Sequence, residues 1–139
     1  MKKQLKYKWN FAIGTTSRVP RSGGSHYLIA DFDGNIPTAF LLNLCYNSGA
    51  RNIIIQKTPH GWHVYTDLEM TFGELQVILK WAKADPAWIA IGKERGYYFL
   101  ADKSEIDFPY PVEHMVLHYG KKKTQNTKTL RPSIREKGN

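Results

Sequence analysis

The chain has 139 residues, 42% of them hydrophobic, with four Trp, eight Tyr and six Phe, enough apolar material for one folded core and too much for a disordered polymer. Its net charge of +8 sits at the ends. Residues 1–26 carry six Lys or Arg and no acid, residues 120–139 carry seven against Glu136 alone, and the stretch between is mildly acidic. The single Cys45 excludes an intramolecular disulfide framework. No apolar run approaches the ~20 residues of a membrane span, so a cytoplasmic setting without membrane contact is expected. Basic ends of this kind suit a polyanion such as DNA or RNA.

In chain order, the first element is a short strand around Tyr7–Ile13, followed by the loop GTTSRVPRSGG. HYLIADFD, ending at Asp33, reads as a buried strand, and Gly34-Asn35 as a turn. Pro37 opens a helix, TAFLLNLCYNSG, with Phe40, Leu41, Leu44 and Cys45 on one face and Gly49 as its stop. RNIIIQKT is a β-branched strand; PHG breaks the chain, and GWHVYTD resumes as the second arm of a hairpin. Thr71 and Glu74 form a capping-box pattern for a second helix, with Phe72, Leu75, Ile78, Leu79 and Ala82 inward and Asp85-Pro86 at its end. AWIAIGKERGYYFLADK then reads as a second hairpin turning through Lys93–Gly96, and His114–Tyr119 as one more strand.

From HYLIADFD onward the order is βαββαβ, with a late strand added. It predicts an α+β fold of the ferredoxin-like or RNA-recognition-motif-like type, mainly antiparallel, with two helices on one sheet face and the other face open. The expected organisation is a basic N-terminal segment over 1–26, a single domain over 27–119 and a basic, disordered tail over 120–139.

Three carboxylates and one histidine stand out. Strand alternation puts Asp31 and Asp33 on the same face. In a ferredoxin-like sheet the strand GWHVYTD lies beside them, and the apolar pair Trp62 and Val64 suits the helix-covered side, which turns His63 toward the aspartates. Asp102, which ends YYFLAD, is expected on the far side of the aspartate strand. Neighbouring carboxylates become tolerable around a divalent cation, and aspartates holding two metal ions are the usual apparatus of phosphoryl and nucleotidyl transfer.

These motifs resemble those of the archaeo-eukaryotic-type primases and primase-polymerases. The first is LIADFD, Leu28 to Asp33; the second is TPHGWHVY, Thr58 to Tyr65; the third is Ala101-Asp102. The resemblance spans residues 27–103 and implies a minimal catalytic core that binds nucleoside triphosphates and acts on a DNA or RNA template, with a replication protein as partner. It implies that Asp31, Asp33 and Asp102 hold Mg²⁺ or Mn²⁺, and that His63 meets the nucleotide phosphates. Lys57, Lys93 and Arg95 are further candidates for triphosphate charge. Arg18, Arg21, Lys121, Lys122 and Lys123 are candidates for nucleic-acid contact.

Two other readings share the element order. A non-catalytic RNA-recognition module would stack bases on Tyr27, Tyr65 and Tyr98 of an open sheet face. A rolling-circle replication endonuclease would need a His-x-His strand, whereas here His60 and His63 are three apart.

Overall fold

The structure, a computed structural model, describes residues 7–102 and 106–122. The elements are β1 (Tyr7–Thr16), β2 (His26–Asp33), α1 (Thr38–Asn47), β3 (Ile53–Lys57), β4 (Gly61–Met70), α2 (Phe72–Trp81), α3 (Pro86–Arg95), β5 (Phe99–Ala101) and β6 (Glu113–Lys122). They form two antiparallel three-stranded sheets, ordered β2-β4-β3 and β5-β1-β6. The protein is therefore α+β, compatible with a small ferredoxin-like fold, as the hydrophobic patterning predicts.

The aspartate strand β2 pairs with β4, and β4 with β3, in the expected order. The inner faces of both expected helices also follow their periodicity: Leu41 and Cys45 of α1, and Leu75 and Leu79 of α2, are buried. Thr71 and Glu74 make the full capping box, each side chain bonding the other's backbone N–H. No helix among the described residues is long and apolar enough to cross a membrane.

Three features differ from the sequence-based expectation. First, the stretch AWIAIG is helix α3, not a strand. Asp85 caps it through Ala87 N–H, Pro86 takes its first turn, and Gly96 ends it at φ +89°. Asp85-Pro86 thus starts a helix as well as following one, and a short apolar run does not by itself separate strand from helix. Gly92 lets α3 close on the sheet, because a Cβ there would run into the Tyr98 ring. Trp88 stacks on that ring and donates from Nε1 to the Phe99 carbonyl.

Second, β5 pairs with β1 rather than flanking β2 in one sheet. The two sheets meet at a corner, where Arg18 bridges His26, and Ser17 N–H and Tyr98 N–H donate to the Tyr98 carbonyl and the Ser17 hydroxyl. The N-terminal strand is therefore an integral sheet member, and β6 continues to Lys122, past the expected boundary at 119.

Third, the sheet face expected to be open is covered. Residues 106–112 cross it: Phe108 meets Tyr65 edge-on, Tyr110 meets Tyr27, and Tyr27 Oη donates to the Pro111 carbonyl. Tyr27, Tyr65 and Tyr98 are all buried, at 4%, 0% and 0% exposure, which removes them as a base-stacking platform. An apolar covering of large aromatics is what the buried pair Tyr27 and Ile29 on this face of β2 requires. Trp81 lies off the inner stripe of α2 and is 73% exposed.

Candidate active site

A cleft of about 650 Å³ opens at the Asp33 end of β2. Its walls include Asp31, Asp33, Lys57, Thr58, His60, His63, Asp85 and Asp102.

The register of β2 on β4 sets the cleft's centre. Asp31 stands opposite His63, and Asp33 opposite Gly61. Residue 61 has to be glycine for this pairing, since a Cβ would collide with the Phe32 carbonyl oxygen. The β3–β4 turn is tied by Thr58 N–H to the Gly61 carbonyl and by Gly61 N–H to the Thr58 hydroxyl. Gly34 N–H, donating to the His60 carbonyl, holds that turn against the end of β2. Local sequence thus builds a rigid floor, with Asp31 half-buried and Asp33 exposed.

His63 Nε2 lies 3.6 Å from Asp31 Oδ1, with the side chains only 13% and 27% exposed. The contact is too long for a hydrogen bond, and the two groups titrate away from an ion pair. Burial pushes the Asp31 carboxyl up to about 6, reinforced by the charges of Asp85 and then Asp33. Burial also lowers His63, with the Asp102 charge acting against that shift. The imidazole is therefore mainly neutral at pH 7. Its Nδ1 is buried with no hydrogen-bond partner among the described residues. An unsatisfied buried nitrogen of this kind costs about 1–3 kcal/mol.

Asp102 reaches the same cleft from the other sheet. Its backbone N–H donates to the Ile13 carbonyl, and its Oδ2 accepts from Thr15 Oγ1 at 2.7 Å and Tyr65 Oη at 3.1 Å. The carboxylate is buried and fixed in direction. The route differs from the expected one, through β1 rather than a strand beside β2, but the side chain lines the cleft with Asp31, Asp33 and His63.

Asp85 is the residue that sequence reading missed. Its N–H donates to the Asp31 carbonyl at 2.8 Å, which fixes the start of α3 against β2. The Asp-Pro pair, read forward as an N-cap followed by Pro at the first helical position, is the signal that finds it.

The basic candidates divide. Lys57 lines the cleft, its Nζ 5.1 Å from the Trp62 ring centroid and donating to the Thr58 carbonyl. Lys93 and Arg95 do not line it. They sit in the last turn of α3, about 12 Å along the helix from Asp85, because the expected hairpin is a helix. Arg18 and Arg21 lie by the His26 end of β2, about 23 Å along the strand from Asp33. Arg18 is engaged there with Glu113 at 2.8 Å and over the Tyr97 ring. Lys121 and Lys122 belong to β6, and Lys123 and the rest of the tail lie outside the described residues.

Among the described residues no group of three or more His, Cys, Asp or Glu side chains forms a ready-made metal cage. Comparison with protein families, with curated proteins and with solved structures finds no match to this chain. Function has to be read from the cleft itself.

Proposed function

We propose that the cleft binds a nucleoside triphosphate with Mg²⁺ or Mn²⁺ and transfers its nucleotide to a nucleic-acid end on a template, as the motif resemblance to primase-polymerases suggests. One observation carries the reading. Asp31 with Asp33, His63 and Asp102 come from three separated stretches and two sheets, yet line one cleft.

The donor set suits a hard divalent cation. Asp31 and Asp33 offer carboxylate oxygens from one strand face, and Asp31 is raised by burial and then by the charges of Asp85 and Asp33, a repulsion that a cation between the carboxylates relieves. Mg²⁺ is commonly held by one or two carboxylates plus substrate phosphate oxygens, so a site lacking three close protein ligands before substrate arrives fits this chemistry. When bound, the metal ions supply charge neutralisation and in-line placement of the attacking and leaving oxygens. The chain's own residues do the rest. Neutral His63 offers an N–H to a phosphate oxygen without closing into an ion pair with Asp31. Lys57 adds positive charge at the rim. Thr15 and Tyr65 hold the Asp102 carboxylate in a fixed direction in the cleft lining.

The test is calorimetric titration of a nucleoside triphosphate with and without Mn²⁺, on the native chain and on Asp31→Asn/Asp33→Asn. Binding that requires Mn²⁺ and disappears in the double variant is the expected result, and primer-extension assays follow from it. Equal binding without metal, or none at all, removes the nucleotidyl-transfer reading.

A further inference from the structure

The loop that joins β1 to β2 encloses a second pocket, of about 440 Å³, at the His26 end of β2, opposite the Asp33 end where the cleft opens. Sites for small molecules commonly span about 300–1,000 Å³. Arg18, Arg21, His26 and Glu113 are its charged and polar walls, and Val19 and Val112 are among its apolar ones.

The loop is closed by its own bonds. Arg18 bridges His26, Val19 N–H donates to the Ser25 carbonyl at 3.0 Å, and the Ser22 hydroxyl accepts from the Gly24 and Ser25 N–H groups. A pocket tied in this way is shaped before a ligand arrives, which lowers the ordering cost of binding.

Two donors in its walls are fixed in place and lack a protein acceptor. Arg18 Nε donates to Glu113 Oε1 at 2.8 Å, and its guanidinium carbon lies 4.3 Å from the Tyr97 ring centroid. Glu113 Oε1 also accepts from Thr16 Oγ1 at 2.6 Å, so that oxygen serves to hold the arginine. The two terminal nitrogens of Arg18 have no acceptor among the described residues. His26 is 6% exposed, with Nδ1 2.7 Å from the Ser17 hydroxyl. That hydroxyl is fully buried and accepts from Tyr98 N–H, so its own proton needs an acceptor, and Nδ1 is the one in reach. Burial, and then the Arg18 charge, keep the ring neutral. Its proton therefore sits on Nε2, which has no acceptor among the described residues.

Arg21 stands at φ +62°, in the left-handed region that glycine enters freely and other residues rarely do. It is exposed and makes no ion pair or side-chain hydrogen bond with a described residue, so no contact in the fold calls for arginine there. A strained position that keeps a charged side chain in a pocket wall points to use of that side chain.

We propose that this pocket binds the terminal phosphate of a small phosphomonoester, its oxygens taken by Arg18, Arg21 and His26 Nε2 and its organic remainder lying against Val19 and Val112. Guanidinium forks match phosphate oxygens in geometry and charge. A terminal phosphate offers three acceptor oxygens, whereas an internal phosphodiester offers fewer and has to leave the pocket as chain on both sides. The site is separate from the cleft and does not rest on the nucleotidyl-transfer reading.

The experiment is calorimetric titration of the full chain, in chelator, with a nucleoside 5′-monophosphate, the same nucleoside without phosphate, and inorganic phosphate. The monophosphate is expected to bind one to one, and the bare nucleoside at least about tenfold more weakly. Arg21→Gly is expected to weaken the monophosphate about tenfold while its urea midpoint stays at or above native, because glycine suits φ +62°. Arg18→Lys keeps the charge and loses the fork, and is also expected to weaken binding about tenfold. Inorganic phosphate that binds more weakly than the monophosphate supports an organic ligand; equal affinity overturns that part and leaves free phosphate as the occupant. Absent binding, a nucleoside as tight as its phosphate, or native affinity in either variant overturns the site. So does loss of monophosphate binding in Asp31→Asn/Asp33→Asn, which would put the ligand in the cleft. Displacement by an oligothymidylate lacking terminal phosphates overturns it too, by making the pocket a contact for nucleic-acid backbone.

Discussion

Asp67 and Asp31 belong to the same three-stranded sheet and are held in opposite ways. Asp67, on β4, accepts from the Arg51 and Asn52 backbone N–H groups and from the Asn52 side-chain amide, at 2.8–3.1 Å. Those donors outweigh burial and lower its carboxyl. Asp31, at the other end of the sheet, faces a neutral imidazole at 3.6 Å, and its carboxyl is raised by burial and then by the charges of Asp85 and Asp33. The first aspartate is satisfied by its own chain and closes the junction before β3. The second is held among like charges at a cleft, an arrangement that stability alone does not favour. Donor-rich and donor-poor carboxylates on one sheet therefore separate architecture from a candidate site.

The contrast can be broken by substitution. The largest effect is expected from Asp31→Asn/Asp33→Asn, which should reduce Mn²⁺-dependent triphosphate binding at least about 100-fold, or about 2.7 kcal/mol, in calorimetry. Asp67→Asn should leave that binding within a factor of about two, an effect below about 0.5 kcal/mol. Next comes Gly61→Ala, which forces a Cβ against the Phe32 carbonyl at the Asp33 pairing position. It should destabilise the fold by about 2 kcal/mol in urea unfolding, well above an ordinary surface change.

The two aspartates should then diverge in stability, each with its own pH dependence. Asp67→Ala removes the acceptor for three donors and should cost about 1–2 kcal/mol at pH 7. Because the folded Asp67 carboxyl is lowered, the native contribution is present above the ordinary aspartate range and is lost as pH falls through the folded value. Asp31→Asn should do the reverse. Folded Asp31 keeps its proton up to about 6 against an ordinary value of 3.8. Its favourable contribution is full below the unfolded value and is lost as pH rises through about 6. Without metal, the Asn variant should therefore be more stable than native by about 1–2 kcal/mol at pH 7, with the difference vanishing near pH 3.5. Paired urea titrations in chelator check both signs.

The smallest expected effect isolates Asp85. Asp85→Asn keeps an N-cap acceptor for Ala87 and removes one charge beside Asp31. The Asp31 carboxyl should move down toward its ordinary range in an NMR titration, with little change in unfolding. An unmoved Asp31 would show that Asp85 plays no electrostatic part in the cleft and leave burial and the Asp33 charge to raise it.

Local rules made much of the fold readable. The β2-α1-β3-β4-α2 series follows from apolar periodicity, Gly49 and the Thr71 capping box, and alternation alone put Asp31 and Asp33 on the face that meets His63. Helix α3 was hidden because AWIAIG is a short, uniformly apolar run, compatible with either period, and its cap signals abut the end of α2. The covered sheet face was hidden for another reason. Phe108 and Tyr110 lie in irregular backbone with no periodicity to announce them, so nothing local indicates that Tyr27 and Tyr65 acquire a roof.

What the sequence determined by itself is local: which stretches are strands or helices, which side chains share a face, and where positive charge concentrates. Those properties depend on backbone period and on residues within a turn or two of one another. The tertiary structure alone decided that Asp102 arrives through β1, that Asp85 stands against Asp31, that Lys93 and Arg95 lie outside the cleft, and that β1 pairs with β6. Each of these depends on pairing between distant segments, and pairing is chosen by how the whole chain buries its apolar surface, which no single stretch encodes.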